Sequence, residues 1–492
     1  MYYTSTRNKN LKVTSSEAIT KGISEEGGLF VPCEIPALSD MDIKEMVGMS
    51  YKERAKKILA LYLTDFTKEE IDYCVEGAYK DGKFASEKVA PLVALDDKAN
   101  ILELFWGPTC AFKDMALQLL PYLLTTASKK AAPDKEIVIL VATSGDTGKA
   151  ALEGFKDVPH TRILVFYPDQ GVSAMQKLQM QTQEGANVGV CAIKGNFDDA
   201  QTGVKKIFTD KAVADKLAEN GMMFSSANSI NWGRLVPQVV YYCSAYCDML
   251  SQGKLKMGEQ MNVVVPTGNF GNILAAYYAK LMGIPIKTLI CASNSNNVLT
   301  DFLKSGTYDR NRDFYLTTSP SMDILISSNL ERLLFHLSGE NDEEIRGYMK
   351  DLTEFGKYTV SDKIMSGIKG NFDAGYSTEE EDAATIKSTF ENGYLSDTHT
   401  AVAINVYDKL KDGTPTVIAS TASPYKFPKS VLSAILGKAP ELDEFDMTDE
   451  LARVTGTEVP APLAGLKGRT VRFTSVSEIS DMRDCVYDML GV

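Results

Sequence analysis

Residues 137–149 read Ile137-Val138-Ile139-Leu140-Val141-Ala142 and then Thr143-Ser144-Gly145-Asp146-Thr147-Gly148-Lys149. A six-residue apolar run, four of it β-branched, feeds a small polar loop, and a helical pattern follows. That unit builds a parallel sheet buried on both faces. It recurs along the chain. Further apolar runs lie at 162–167, 188–193, 262–265, 287–291 and 416–420. Helical patterns at 150–155, 173–182, 199–217, 235–250 and 273–282 separate most of them. The expected fold is therefore α/β, with doubly wound parallel sheets. Ligands in such sheets sit at the carboxyl ends of the strands, where loops lead into helix N-termini.

The rest of the chain is organised around this pattern. Residues 1–95 carry two amphipathic stretches, 41–63 and 68–79, and read as an N-terminal helical region, a lid or a packing layer. The alternating part divides into 96–235 and 236–430. Residues 431–492 form an acidic extension, helical at its end, with no recognisable chemistry.

Composition excludes several function classes. The 492 residues carry a formal net charge of −13. An acidic surface repels phosphate backbones, so no nucleic-acid partner is expected. No run of eighteen apolar residues occurs, so no membrane span is expected. The start, Met1-Tyr2-Tyr3-Thr4-Ser5, lacks the apolar core of a signal peptide. Eight scattered cysteines without a Cys-x-x-Cys pair fit a reducing, cytoplasmic setting. Only three histidines are present, His160, His336 and His399. With neither HExxH nor a Gly-x-Ser-x-Gly elbow, no metal centre is expected.

Four loops remain as candidates for chemistry. The Thr143–Lys149 loop is either a capped strand–helix turn or an anion cradle. It is not a Walker P-loop, which needs Gly at Thr143 and Ser or Thr at Ala150. Pro266-Thr267-Gly268-Asn269-Phe270-Gly271-Asn272 is either a plain turn or a backbone nest around a phosphate. Asn228-Ser229-Ile230-Asn231-Trp232-Gly233-Arg234 offers amides, a hydroxyl and a guanidinium at the head of a helix. It is a capped helix with a surface arginine, or a grip on a phosphate or carboxylate. Pro108-Thr109-Cys110-Ala111-Phe112-Lys113-Asp114 puts Lys113 at a helix N-terminus, where the dipole disfavours a cation. A surface lysine is one reading; a deprotonated or Schiff-base lysine is the other. Anion-cradling loops and a misplaced lysine on an α/β sheet together point to a lysine-bound phosphorylated cofactor, pyridoxal phosphate. The late loop Ser420-Thr421-Ala422-Ser423-Pro424 then offers a neutral hydroxyl for a pyridine nitrogen.

In order along the chain, Tyr3-Thr4-Ser5-Thr6-Arg7, Glu26-Gly27-Gly28-Leu29-Phe30-Val31-Pro32, Ala111-Phe112-Lys113-Asp114, Gly268-Asn269-Phe270-Gly271-Asn272 and Lys426-Phe427-Pro428 resemble the threonine synthases of the long bacterial and fungal class. The resemblance covers most of the chain. It implies a fold type II (tryptophan synthase β-like) enzyme that converts O-phospho-L-homoserine and water to L-threonine and phosphate, as a monomer or homodimer. It implies that Lys113 is the Schiff-base lysine and that Gly268, Asn269, Phe270, Gly271 and Asn272 hold the cofactor phosphate. Asp146 would lie near the cofactor's phenolic oxygen, and Thr421 would face its pyridine nitrogen. Thr143 and Ser144 would take the substrate carboxylate. Asn228, Ser229 and Arg234, with Thr147 and Asn269, would take the substrate phosphate. The chain departs from the family at Ser423, where a histidine is frequent. The alternative is a fold type II lyase acting on another phosphorylated amine or amino acid.

Overall fold

The computed structural model describes residues 1–143, 145–170 and 172–492. Two largely parallel sheets carry the alternating part of the chain. The smaller has five strands. Glu136–Ala142 lies between Met222–Ser225 and Thr161–Pro168, followed by Val188–Ile193 and the short Val476–Ser477, all parallel. The larger has six. Met261–Pro266 pairs in parallel with Ile286–Ser293 on one side and Thr416–Ser420 on the other. Phe372–Tyr376 extends one edge, and Ala99–Glu103 followed by antiparallel Leu92–Ala94 extends the other. Strands such as Met261–Pro266 are buried at every residue, Asn262 included, as a sheet covered on both faces requires.

The sheets share the chain differently from the division at 95, 235 and 430. Ala99–Glu103 belongs with the large sheet, beside Thr416–Ser420. The C-terminal extension returns to the small one, where Val476–Ser477 adds an edge and Met482, Val486 and Leu490 pack against Leu164 and Ile193. Two helical stretches also break. Residues 41–63 form Asp40–Val47 and Tyr51–Tyr62, because Ser50 and Glu53 close a capping box after Gly48. Residues 199–217 divide at Asp210, whose carboxylate caps Lys211–Glu219.

The helix Trp232–Ser251 runs through the middle of the core and is almost wholly buried. Trp232 packs against Tyr3, Tyr62 and Tyr278 at ring distances of 5.3, 5.6 and 5.4 Å. The N-terminal region thus forms a layer against this helix. No described helix is long and apolar enough to cross a membrane.

Candidate active site

Lys113 opens the short helix Lys113–Leu117. The segment before it is tied to the end of the large sheet. Phe112 N–H donates to the Thr421 carbonyl at 2.8 Å, and Ser423 N–H donates to the Cys110 carbonyl at 3.0 Å. These two bonds fix the Lys113 loop to the Thr421 loop. Buried Asp114 braces it from within, accepting from Thr109 N–H and Thr109 Oγ1, each at 2.8 Å. The Lys113 amine donates to Ser321 Oγ at 3.3 Å and lies 5.0 Å from the Phe112 ring. Burial lowers its pKa to about 8. Asp146 opposes the shift, while Lys426 and Arg234 add to it. Beside it, the Thr421 hydroxyl has no hydrogen-bond partner among the described residues.

Asp146 starts the helix Asp146–Phe155. Its Oδ1 pairs with Lys426 Nζ at 2.7 Å and accepts from Gln176 Nε2 at 3.1 Å. Burial alone would raise this carboxyl, but Lys426 and then Lys113 outweigh it and hold it well below the usual carboxylate range. Lys426 also donates to the Thr109 carbonyl at 3.1 Å, so one buried cation joins the Asp146 and Lys113 loops. The Thr143 hydroxyl accepts from Gly145 N–H at 2.9 Å and Gly148 N–H at 3.0 Å. Those bonds shape the loop. Thr147 is half-buried on the first helical turn. Ser144, expected at the substrate carboxylate, lies outside the described residues.

The Gly268–Asn272 loop leads from Met261–Pro266 into Gly271–Leu281. Phe270 takes a left-handed φ of 62° and is buried, and no side chain caps the helix that follows. A Cβ on Gly268 would stand 2.7 Å from the Ser321 carbonyl oxygen, so only glycine fits this approach. Ser327 Oγ donates to the Gly268 carbonyl at 2.7 Å, and Asn329 donates twice to the Asn269 carbonyl. The Asn269 side chain is exposed. Asn272 Oδ1 accepts from Tyr241 and Tyr242, while its Nδ2 is buried without a partner.

In the 228–234 segment, Asn231 caps Trp232–Ser251 through Gly233 N–H at 2.8 Å. Asn228 is exposed and Ser229 half-buried. Arg234 is 5% exposed, not the surface residue a capped helix would leave. Its Nη1 donates to the Ala227 carbonyl at 2.9 Å, and its Nε is buried with no partner. No carboxylate pairs with it among the described residues, and burial lowers its pKa to about 10. Asn329 Nδ2 also donates to the Ser229 carbonyl at 3.3 Å, which ties this segment to the Gly268 loop. Behind Asn329, buried Arg332 bonds its side-chain oxygen and the carbonyls of Phe30 and Ile230.

Sequence reasoning singled out none of Ser321, Asn329, Arg332, Asp397 or His399 and gave Lys426 no role, yet all six surround these loops. Apart from Asp397, which bonds within its own helix start, their contacts reach across tens to hundreds of residues. One local signal existed: Asp397-Thr398-His399 just before an apolar helical pattern. Ser423 is buried and caps the turn Pro424–Lys426.

Lys113, Asp146, Thr421, the Gly268 loop and Arg234 thus meet where the carboxyl ends of the two sheets face one another. Two family models match, Threonine synthase N terminus over residues 2–79 and Threonine synthase, C-terminal, over 400–486. Human Threonine synthase-like 1 is 43% identical over 441 residues, 87% of this chain but 58% of the relative, so the chain spans little more than half of that protein. Threonine synthase of Pseudomonas aeruginosa is 37% identical, over 90% of this chain and 92% of the other. The crystal structure of PLP-bound threonine synthase from Brucella melitensis is 38% identical, covers 99% of both chains and superposes with a TM-score of 0.89. With the fold matched end to end at such identity, this chain belongs to the threonine synthase family.

Proposed function

We propose that this protein is a pyridoxal-phosphate-dependent lyase that converts O-phospho-L-homoserine and water to L-threonine and phosphate. The observation that carries the reading is Arg234. A guanidinium buried without a carboxylate among the described residues, its Nε unpartnered, has lost hydration that an anionic ligand would replace. The overall charge of −13 would repel a phosphorylated substrate, so attraction must be local, and Arg234 supplies it.

The residues present fit the cofactor. The uncapped turn at Gly271 offers N–H groups to a phosphate, and Gly268 lets the Ser321 turn pack against that loop. Lys113, with a pKa of about 8, is the amine that would hold the aldehyde. Thr421 offers its unpartnered hydroxyl to the ring nitrogen and Asp146 a fixed anion to the phenolic side. When bound, pyridoxal phosphate supplies an electron sink for negative charge at the substrate Cα.

Lys113 performs the proton work. An amine that titrates near neutrality takes the Cα proton and can return it later. Ser321 Oγ orients that amine. Arg234, with Asn228, Ser229, Thr147 and the Asn269 side chain, holds the leaving phosphate and favours its departure from Cγ by stabilising the added charge. Thr143 shapes the loop whose N–H groups, with Ser144, receive the substrate carboxylate. A Cβ proton leaves as the Cγ–O bond to phosphate breaks, Cγ takes up a proton to become the methyl group, water then adds at Cβ, and Lys113 releases threonine.

The test is a visible absorption spectrum of the purified protein, followed by addition of O-phosphohomoserine with assays for threonine and phosphate. A colourless protein, or a coloured one that releases neither product, overturns the reading. A second reading is a phospho-lyase acting on another phosphorylated amine, such as phosphothreonine or phosphoethanolamine. The higher identity to Threonine synthase-like 1 than to the Pseudomonas threonine synthase favours testing it, and product analysis across these substrates separates the two. All eight cysteines are free, in keeping with a reducing cytoplasmic setting, and we read the protein as a monomer or homodimer with no nucleic-acid partner.

A further inference from the structure

Behind Lys113 lies a pair that the reading above does not use. Asp397 caps the helix Thr398–Leu410, where its Oδ1 accepts from Thr400 N–H at 3.1 Å and from the Thr400 hydroxyl. Its Oδ2 lies 2.8 Å from His399 Nδ1. A carboxylate only accepts, so Nδ1 carries the proton and Nε2 is free to accept. Facing Nε2 at 3.2 Å is the backbone N–H of Ser321. The Phe427 ring packs on the imidazole at 4.9 Å, and both Asp397 and His399 are buried. Ser321 faces the site on its other side. Its Oγ accepts from Lys113 Nζ, and its carbonyl is the atom that forbids a side chain at Gly268.

We propose that Asp397 and His399 form a positioning pair that fixes Ser321, and through Ser321 the Lys113 amine. The inference rests on Lys113 being the cofactor-bearing lysine. A helix cap alone needs only Asp397. The imidazole adds one acceptor, aimed at a single N–H 78 residues away. The turn Pro320–Met322 is a single 3₁₀ turn braced by Asn294 at Ser319 and Asp323 on its two flanks, and His399 supplies the acceptor for the N–H of Ser321 at its middle. The Lys113 contact is already 3.3 Å long, so a shift of about 1 Å in the turn breaks it.

Three substitutions separate this role from simple packing. In His399→Gln a side-chain carbonyl reaches the Nε2 position and can still accept from Ser321. His399→Asn reaches only the Nδ1 position, and His399→Leu offers nothing. The full-length chain is freed of cofactor and given pyridoxal phosphate. The readouts are the rate at which the visible absorbance of a lysine-linked cofactor appears, then kcat and KM, then the melting temperature. Asn and Leu should slow linkage and lower kcat by about tenfold, with KM changed by less than about twofold. Gln should stay within about threefold of the parent. Ser321→Ala should give the same loss, and adding it to His399→Leu should cost little more, because both act on one contact. The proposal is overturned if Gln is as slow as Leu, if Ser321→Ala matches the parent, or if the losses add. Should His399→Leu fail to fold, the Gln–Asn contrast and Ser321→Ala decide. A parent that links cofactor but turns over no O-phosphohomoserine removes the substrate reading and leaves this one standing. A parent that forms no linkage overturns both.

Discussion

The first turns of the helices Trp232–Ser251 and Leu330–Ser338 each bury an arginine, and each guanidinium is lowered to a pKa of about 10 by its burial. Their surroundings differ. Arg332 has an acceptor for Nε, Nη1 and Nη2, drawn from Phe30, Asn329 and Ile230. Among the described residues Arg234 has one, the Ala227 carbonyl, and its Nε has none. The lysines repeat the contrast. Lys426 is paired with Asp146 and Thr109, whereas among the described residues the Lys113 amine has a single, long hydrogen bond, to a serine. Cations with built-in partners hold loops together. Cations left wanting a partner cost stability in the free protein, and a ligand can repay that cost.

The largest expected effect falls on the second class. Lys113→Ala should abolish turnover and the visible, borohydride-reducible cofactor linkage, because no other positioned amine is proposed. Inorganic phosphate should still raise the melting temperature of this variant through Arg234. A Lys113→Ala protein that retains the linkage refutes the assignment.

Arg332 should behave oppositely. Arg332→Met strands the Phe30 and Ile230 carbonyls and releases Asn329, which joins the Asn269 and Ser229 segments. The expected loss is about 3 kcal/mol in urea unfolding of the cofactor-free chain. A loss below about 1 kcal/mol would erase the distinction between the two arginines.

Arg234→Met should cost about 1.5–3 kcal/mol in transition-state binding, a factor of about 10 to 200 in kcat/KM. Its folding stability should be unchanged or higher, since an unsatisfied buried charge is removed. Inorganic phosphate should compete with substrate in the parent and poorly in the variant, while cofactor retention stays the same. A variant that loses cofactor yet handles substrate phosphate normally would exchange the two anion sites.

The contrast was only half legible in the sequence. Strand–loop–helix units are local, so 136–142, 161–168 and 261–266 and the loops after them could be read from their own residues. Lys113 and Arg234 were legible for the same reason, as polar groups at helix starts. Phe372-Asp373-Ala374-Gly375-Tyr376 escaped notice because an edge strand carries no continuous apolar run. Ala99–Glu103 could not be assigned to the large sheet, because its neighbour, Thr416–Ser420, lies over 300 residues away. Arg332, Asn329 and His399 were invisible as site residues, since each acts on a backbone group remote in sequence.

The last contrast concerns the pH dependence of Lys113. In the folded, cofactor-free chain its amine titrates near 8, while in the unfolded chain it titrates near the ordinary 10.5. Between those values the unfolded state binds more protons, so this residue makes stability rise with pH. Below pH 8 both states are protonated, and the cost of burying the charge is fully present. Above about 10.5 it is gone. One proton sets the ceiling on the slope at about 1.4 kcal/mol per pH unit. Lys113→Met should therefore be more stable than the parent at pH 7, and the two should converge as pH rises through this window. Urea unfolding of both cofactor-free proteins at several pH values measures the difference. Arg332, its acceptors built in and its pKa near 10, should add no such slope between pH 7 and 9, so Arg332→Met should run parallel to the parent there. Parallel curves for Lys113→Met and the parent would show that the Lys113 amine is hydrated and ordinary, and would remove it from the class of cations that await a ligand.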